Sequence, residues 1–147
     1  MIAIGCDHGG FILKTAVIEY LKDNNIEFKD FGTYSDESVD YAVYAELVAR
    51  AVVSGECECG LLFCGTGVGI SIAANKVKGI RAACCSDAFS AEMTRRHNDA
   101  NILCLGGRVV TPEKAVELCK IFLNTPFSNE ERHIRRITQI TDLENRF

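Results

Sequence analysis

Short apolar runs alternate with amphipathic stretches along the whole chain. Ile2 to Cys6, Leu61 to Phe63, Ile80 to Cys84 and Ile102 to Leu105 have the length and composition of buried strands. Phe28 to Phe31 alternates apolar and charged residues, as a half-buried edge strand does. Between these runs the period changes to that of helices. Ile12, Leu13, Ala16, Val17, Tyr20 and Leu21 share one face, with Lys14, Glu19, Lys22 and Asp23 turned away, and Asn24-Asn25 ends that helix. Asp40 is positioned to cap a helix built on Tyr41, Ala45, Val48, Ala49 and Val52 that stops at Gly55. Ile70, Ala73, Ala74 and Val77 predict a helix opening near Gly69. Ser86-Asp87 introduces another over Ala88 to His97, and Pro112 stands in the first turn of one packed through Ala115, Val116, Cys119, Phe122 and Leu123.

Five strands alternating with helices predict right-handed crossovers and a parallel sheet covered on both faces, in one domain spanning 1–147. Ligands of such folds gather at the carboxyl ends of the strands. Those ends read Asp7-His8, Cys64-Gly65-Thr66, Ser86-Asp87 and Gly106-Gly107-Arg108. A helical arm is expected over about 128–147, where Ile134, Ile137, Ile140 and Leu143 form an apolar stripe with Arg132, Arg135 and Arg136 between them. That stripe has to cover its own domain or a second subunit, and a homodimer is the favoured reading.

The chain is organised around Gly60 to Lys76: a strand that ends in a thiol, a glycine loop and the start of a helix. Gly65, Gly67 and Gly69 admit conformations and close approaches that side chains would block. Amide N–H groups at a helix start favour negative charge, and a thiol beside them is favoured as its anion, which raises Cys64 above an inert core residue. The loop is not a dinucleotide fingerprint, because Ile70 stands where the third glycine of that pattern belongs, and no Gly-Lys-Ser/Thr follows to make a P-loop.

Composition narrows the classes. In 147 residues the net charge is -4, against a sequence-independent nucleic-acid binder, and no apolar run nears the roughly 20 residues of a membrane span. Eight cysteines without an even framework of spacings, and without a signal-peptide pattern, read as reduced thiols of a cytoplasmic protein. Most of them, Cys6, Cys64, Cys84, Cys85 and Cys104, lie inside apolar runs. Cys57 and Cys59 lack a second cluster to complete a metal site and are read as a surface loop.

Among the polar residues, His8 at a strand end and His97 at a helix end suit proton transfer near neutral pH, whereas His133 is read as solvated. Arg132 and Arg136, four apart on one helical face, together with Arg108, suit phosphate oxygens.

Taken in order, Asp7-His8-Gly9-Gly10, the Cys64 to Lys76 segment, Arg95-Arg96-His97-Asn98, Gly106-Gly107-Arg108 and Arg132 to Arg136 resemble the B-type ribose-5-phosphate isomerases, a family that includes galactose-6-phosphate and allose-6-phosphate isomerases. The resemblance covers essentially the whole chain. It implies a three-layer α/β/α sandwich with a five-stranded parallel, Rossmann-like sheet. It further implies an assembly of at least two subunits with shared active sites, a dimer of dimers included, and neither metal nor organic cofactor. By the same resemblance Cys64 is the catalytic base and His97 opens the sugar ring. Asp7, His8, Gly65, Thr66, Gly67, Val68, Gly69, Asn98 and Arg108 contact substrate, and Arg132 and Arg136 hold phosphate with help from His8 and Arg108. Relatives without the cysteine carry a glutamate just past the loop, where this chain has Ile70. The expected activity is ribose 5-phosphate to ribulose 5-phosphate isomerisation. A six-carbon sugar or sugar phosphate, or a noncatalytic sugar-phosphate module, are the alternatives.

Overall fold

The computed structural model describes every residue from Met1 to Phe147. Its five strands are β1 (Ile2–Cys6), β2 (Phe28–Asp30), β3 (Cys59–Cys64), β4 (Ala82–Cys84) and β5 (Ile102–Gly106). They form one all-parallel sheet in the order β2-β1-β3-β5-β4. Six helices complete the fold: α1 (Phe11–Asp23), α2 (Tyr41–Val53), α3 (Val68–Ala74), α4 (Ala88–Asn98), α5 (Pro112–Asn124) and α6 (Glu131–Arg146).

The central strands are apolar on both faces because helices cover both. Ile4, Cys6, Leu61, Phe63, Leu103 and Leu105 pack with Leu13 and Val17 of α1, Ala91 of α4 and Leu118 of α5. Ala3, Leu62, Cys64, Ile102 and Cys104 pack with Val48 and Ala49 of α2 and Ile70 and Ala74 of α3. This is the expected three-layer sandwich. Helices following the adjacent strands β1 and β3 therefore leave to opposite faces, and a crevice opens between the two carboxyl ends.

The cap expected at Asp87 forms, whereas the one expected at Asp40 makes no side-chain bond. Asp87 accepts the Ser90 N–H at 2.8 Å, and Thr111 accepts that of Lys114 at 3.1 Å, with Pro112 first in α5. Strand β4 begins at Ala82 rather than Ile80, because the Arg81 N–H goes to the Asn101 side chain at 2.8 Å and not to a ladder partner.

Three surface expectations are overturned. Lys14 does not face away: it is 2% exposed, with its ammonium on Asp30 Oδ1 at 2.7 Å and on the Thr33 carbonyl, 5.0 Å from the Tyr34 ring centroid. Ile12 takes the outward place instead. Cys57 is buried and not on a surface loop, since its N–H returns to the Ala51 carbonyl at 2.9 Å and folds the side chain into the α2 layer. Conversely Cys84, at the end of the edge strand β4, is exposed.

The arm α6 lies beside the far edge of the sheet. The Glu144 carboxylate accepts the Gly79 N–H at 3.0 and 3.1 Å, and His133 packs against α4. Ile134, Ile140 and Leu143 remain 45%, 46% and 52% exposed, so this chain alone does not cover the stripe. No helix is long and apolar enough to cross a membrane.

Candidate active site

The crevice at the β1 and β3 carboxyl ends holds about 500 Å³ and is lined by Asp7, His8, Cys64, Gly65, Thr66 and Arg108, among others. Each wall has a local cause. Asp7, 6% exposed, accepts the Gly10 N–H on Oδ1 at 3.1 Å and so closes a single 3-10 turn over His8–Gly10, which leads into α1. His8 accepts the Val39 N–H on Nδ1 at 3.2 Å, which puts the proton of the neutral ring on Nε2. That bond also ties the loop before α2 across the crevice.

At the floor, Cys64 ends β3 with 4% exposure, and the Gly67 N–H donates to its Sγ at 3.0 Å. Gly67 has φ +80°, and a Cβ there would stand 2.9 Å from the Leu105 carbonyl carbon and 3.0 Å from Cys84 Sγ. Only glycine makes that turn without strain. The remaining seven thiols are all pushed above the ordinary value, chiefly by burial: Cys6 and Cys59 to about 12, Cys85 to about 11, and Cys57, Cys84, Cys104 and Cys119 upward too. The Arg108 guanidinium lies over Gly65, where an added Cβ would meet Nη1 at 3.2 Å, and the Arg108 N–H bonds to the Gly65 carbonyl at 2.9 Å. It makes no ion pair and stands ready for an anion.

Asp7, His8, Cys64, the glycine loop and Arg108 are thus brought together. His97, Asn98, Arg132 and Arg136 are not among the crevice-lining residues. They form a second group where the end of α4 meets the start of α6, with Asn98, Arg132 and Arg136 exposed and His97 half-buried. His133 belongs to this group and is 5% exposed, not solvated. Its ring stacks on that of His97 at a centroid distance of 4.3 Å and 15° between planes, and its Nε2 accepts the Arg132 Nε–H at 3.2 Å.

The crevice also holds Asp40 and Tyr41, which the sequence assigned to capping and packing. Asp40 precedes α2 without making a side-chain capping bond, and Tyr41 lies so close to Gly69 that an added Cβ would meet its ring at 2.8 Å. Their place one residue either side of a helix start, at the mouth of a loop, was the available signal. No three His, Cys, Asp or Glu side chains converge to hold a metal ion.

A larger hollow of about 590 Å³ lies at the opposite, amino-terminal ends of the strands. Its arginines are already engaged: Arg95 by Asp99 and the Ala100 and Thr125 carbonyls, Arg81 by the Asn98 and Asp99 carbonyls. The crevice with the free Arg108 is the chemically equipped one.

The ribose/galactose isomerase family matches residues 2–140. The ribose-5-phosphate isomerase B of Escherichia coli K12 is 49% identical over 145 residues, 99% of this chain and 97% of that protein. The structure of Clostridium thermocellum ribose-5-phosphate isomerase B superposes with a TM-score of 0.96 at 50% identity, covering 99% of this chain and 97% of that one. Ribose-5-phosphate isomerase B of Mycoplasma genitalium, solved with bound ribulose-5-phosphate, gives 0.93 at 40% identity, with 99% and 97% covered.

Proposed function

This chain belongs to the ribose/galactose isomerase family, and from that premise we propose that it interconverts ribose 5-phosphate and ribulose 5-phosphate, with Cys64 as the base. The observation that carries the reading is the placement of Cys64 Sγ: at a strand end, held by the Gly67 N–H, in a crevice shared with Asp7, His8 and Arg108.

The chemistry follows from the carbonyl. In the open-chain aldose, the Cys64 thiolate takes the proton from C2. The C–H electrons form the C1–C2 double bond and the carbonyl electrons move to O1, giving an enediolate. The proton then returns to C1 while the O2 hydroxyl proton passes to O1, leaving the ketose. Hydrogen moves only as protons, so the reaction balances with no external oxidant or reductant. The Gly67 N–H is held by Cys64 Sγ and the Val68 N–H by Thr66 Oγ1, so it is the other N–H groups of the Gly65 to Gly69 loop that would meet the developing oxyanion, and one such donor is worth about 3 kcal/mol. Cyclic sugar must open first, and His97 protonates the ring oxygen. Asp7, His8 and Asn98 hold hydroxyl groups. Arg132 and Arg136 grip the phosphate with Arg108 and His8, and that remote binding energy positions C1 and C2.

His97, Asn98, Arg132 and Arg136 lie outside the Cys64 crevice of their own chain. A homodimer supplies them from the partner chain. The uncovered stripe of Ile134, Ile140 and Leu143 on the element that carries both arginines supports this arrangement. Eight unpaired cysteines fit a reducing, cytoplasmic setting.

The test is a panel of ribose 5-phosphate, allose 6-phosphate, galactose 6-phosphate and free allose, compared by kcat/KM. The highest value is expected for ribose 5-phosphate. Calorimetric binding of every sugar phosphate without turnover of any would replace the enzyme with a binding module.

A further inference from the structure

We propose that His133 is a positioning residue that locks the phosphate-gripping Arg132 and the ring-opening His97 into one unit. The inference rests on the roles just given to Arg132 and His97, and its geometry is independent of them. One flat face of His133 is stacked on His97, from a different helix, at 4.3 Å. One nitrogen of the same ring accepts the Arg132 Nε–H at 3.2 Å. Arg132 Nη2 also lies 3.1 Å from the Glu130 carboxylate. A guanidinium has five N–H donors, so the arrangement fixes its plane while leaving three donors for an anion. The segment leading into α6 is further tied to α4 where the Ser128 N–H meets the Arg96 carbonyl at 3.2 Å.

The device works only while His133 is neutral. Its Nε2 must accept, so the single ring proton sits on Nδ1. Protonation would turn Nε2 into a donor facing the Arg132 N–H, and the bond would break. The surroundings defend the neutral form: burial first, then His97 on α4 and Arg132 hold the ring below the ordinary imidazole value of 6.5, Arg136 adds to them, and Glu130 alone pulls the other way. The grip is therefore complete above pH 6.5, persists somewhat below it, and is lost as pH falls through the depressed value. Phosphate gripped by the locked Arg132 binds the neutral form better, so by linkage its binding keeps the ring neutral to a still lower pH.

Three variants separate the two contacts. His133→Phe keeps the flat face and removes the acceptor; KM for ribose 5-phosphate is expected to rise about tenfold with kcat nearly unchanged. His133→Gln keeps an acceptor and loses the aromatic face; kcat on cyclic substrate is expected to fall about fivefold with KM nearly unchanged. His133→Ala loses both. Equal effects of Phe and Gln, or wild-type kinetics in all three, would overturn the proposal. A second readout needs no turnover: in the unmodified protein, followed by NMR of the His133 ring, saturating inorganic phosphate is expected to move its titration midpoint further down. A midpoint that stays in place or moves up overturns the lock even if the isomerase activity is present. If wild-type protein turns over no sugar phosphate, the isomerase reading fails alone, and the NMR titration still decides the lock.

Discussion

The backbone N–H of Gly67 points at Sγ of Cys64 across 3.0 Å, and the left-handed turn that aims it, φ +80°, is packed against Leu105 and Cys84. Any residue with a Cβ at position 67 has to strain the backbone and push into β5 at once. Gly67→Ala is expected to cost about 2 kcal/mol of stability and to lower kcat by displacing the donor. Gly55→Ala is the control, since φ there is +82° but nothing lies within 4 Å of the added methyl. Thermal melting should place Gly55→Ala about 1 kcal/mol below the unmodified protein and Gly67→Ala clearly lower. Equal losses would mean that the close packing at Gly67 relaxes freely.

Removing the sulfur should remove the reaction and spare the binding. Cys64→Ala and Cys64→Ser are expected to lower kcat about a thousandfold with KM little changed, because neither replacement supplies a base. Cys84→Ser, at the exposed end of β4, should turn over normally. Near-normal rates in both Cys64 variants would take the thiolate out of the mechanism.

In the proposed mechanism ring opening is a separate step with its own group. His97→Asn should lose at least tenfold more activity on cyclic ribose 5-phosphate than on substrate presented in its open form, such as ribulose 5-phosphate assayed in reverse within the first turnover. Identical losses in both formats would contradict the assignment.

A site shared between chains makes a numerical prediction. Cys64→Ala and His97→Asn, each nearly inactive alone on cyclic ribose 5-phosphate, should regain about a quarter of normal activity on it when unfolded together and refolded in equal amounts. Half of the dimers are then mixed, and each mixed dimer holds one intact pair of residues. No recovery, with mixed dimers verified by mass, would put all catalytic groups in one chain.

The ion pair of Lys14 and Asp30 holds a buried ammonium. Lys14→Met leaves the Thr33 carbonyl and the Asp30 carboxylate without their ammonium, although Asp30 keeps the Gly32 N–H at 2.9 Å. With the Asp30 side chain 25% exposed, water recovers part of the loss, so about 2 kcal/mol is expected in urea unfolding. A loss under 0.5 kcal/mol would show that the pair contributes nothing net.

Periodicity alone carried the sheet and its helices, because every central strand is covered on both faces and every packed helix shows its stripe. It also carried Asp7, His8, Cys64, the glycine loop and Arg108, since each follows a recognisable strand end. Lys14 was misread because its partner sits 16 residues away on another element, and a lysine within a helical stripe counts as polar wherever it points. His133 was misread for the same reason: the ring that covers it belongs to His97, 36 positions earlier. The separation of His97 and the arginines from the thiol is a matter of three dimensions, which spacing along a chain does not encode.

Glu144, near the end of the final helix, is fastened to the Gly79 backbone of its own chain. In the proposed homodimer the tail is thereby registered before the second copy arrives, so association would be the docking of two finished surfaces and would carry little of the ordering entropy that a dangling tail would lose on capture. Cutting that tether with Glu144→Gln or Glu144→Ala would turn assembly into a coupled ordering event, and dilution would then dissociate the pair at concentrations where the unmodified chain stays joined.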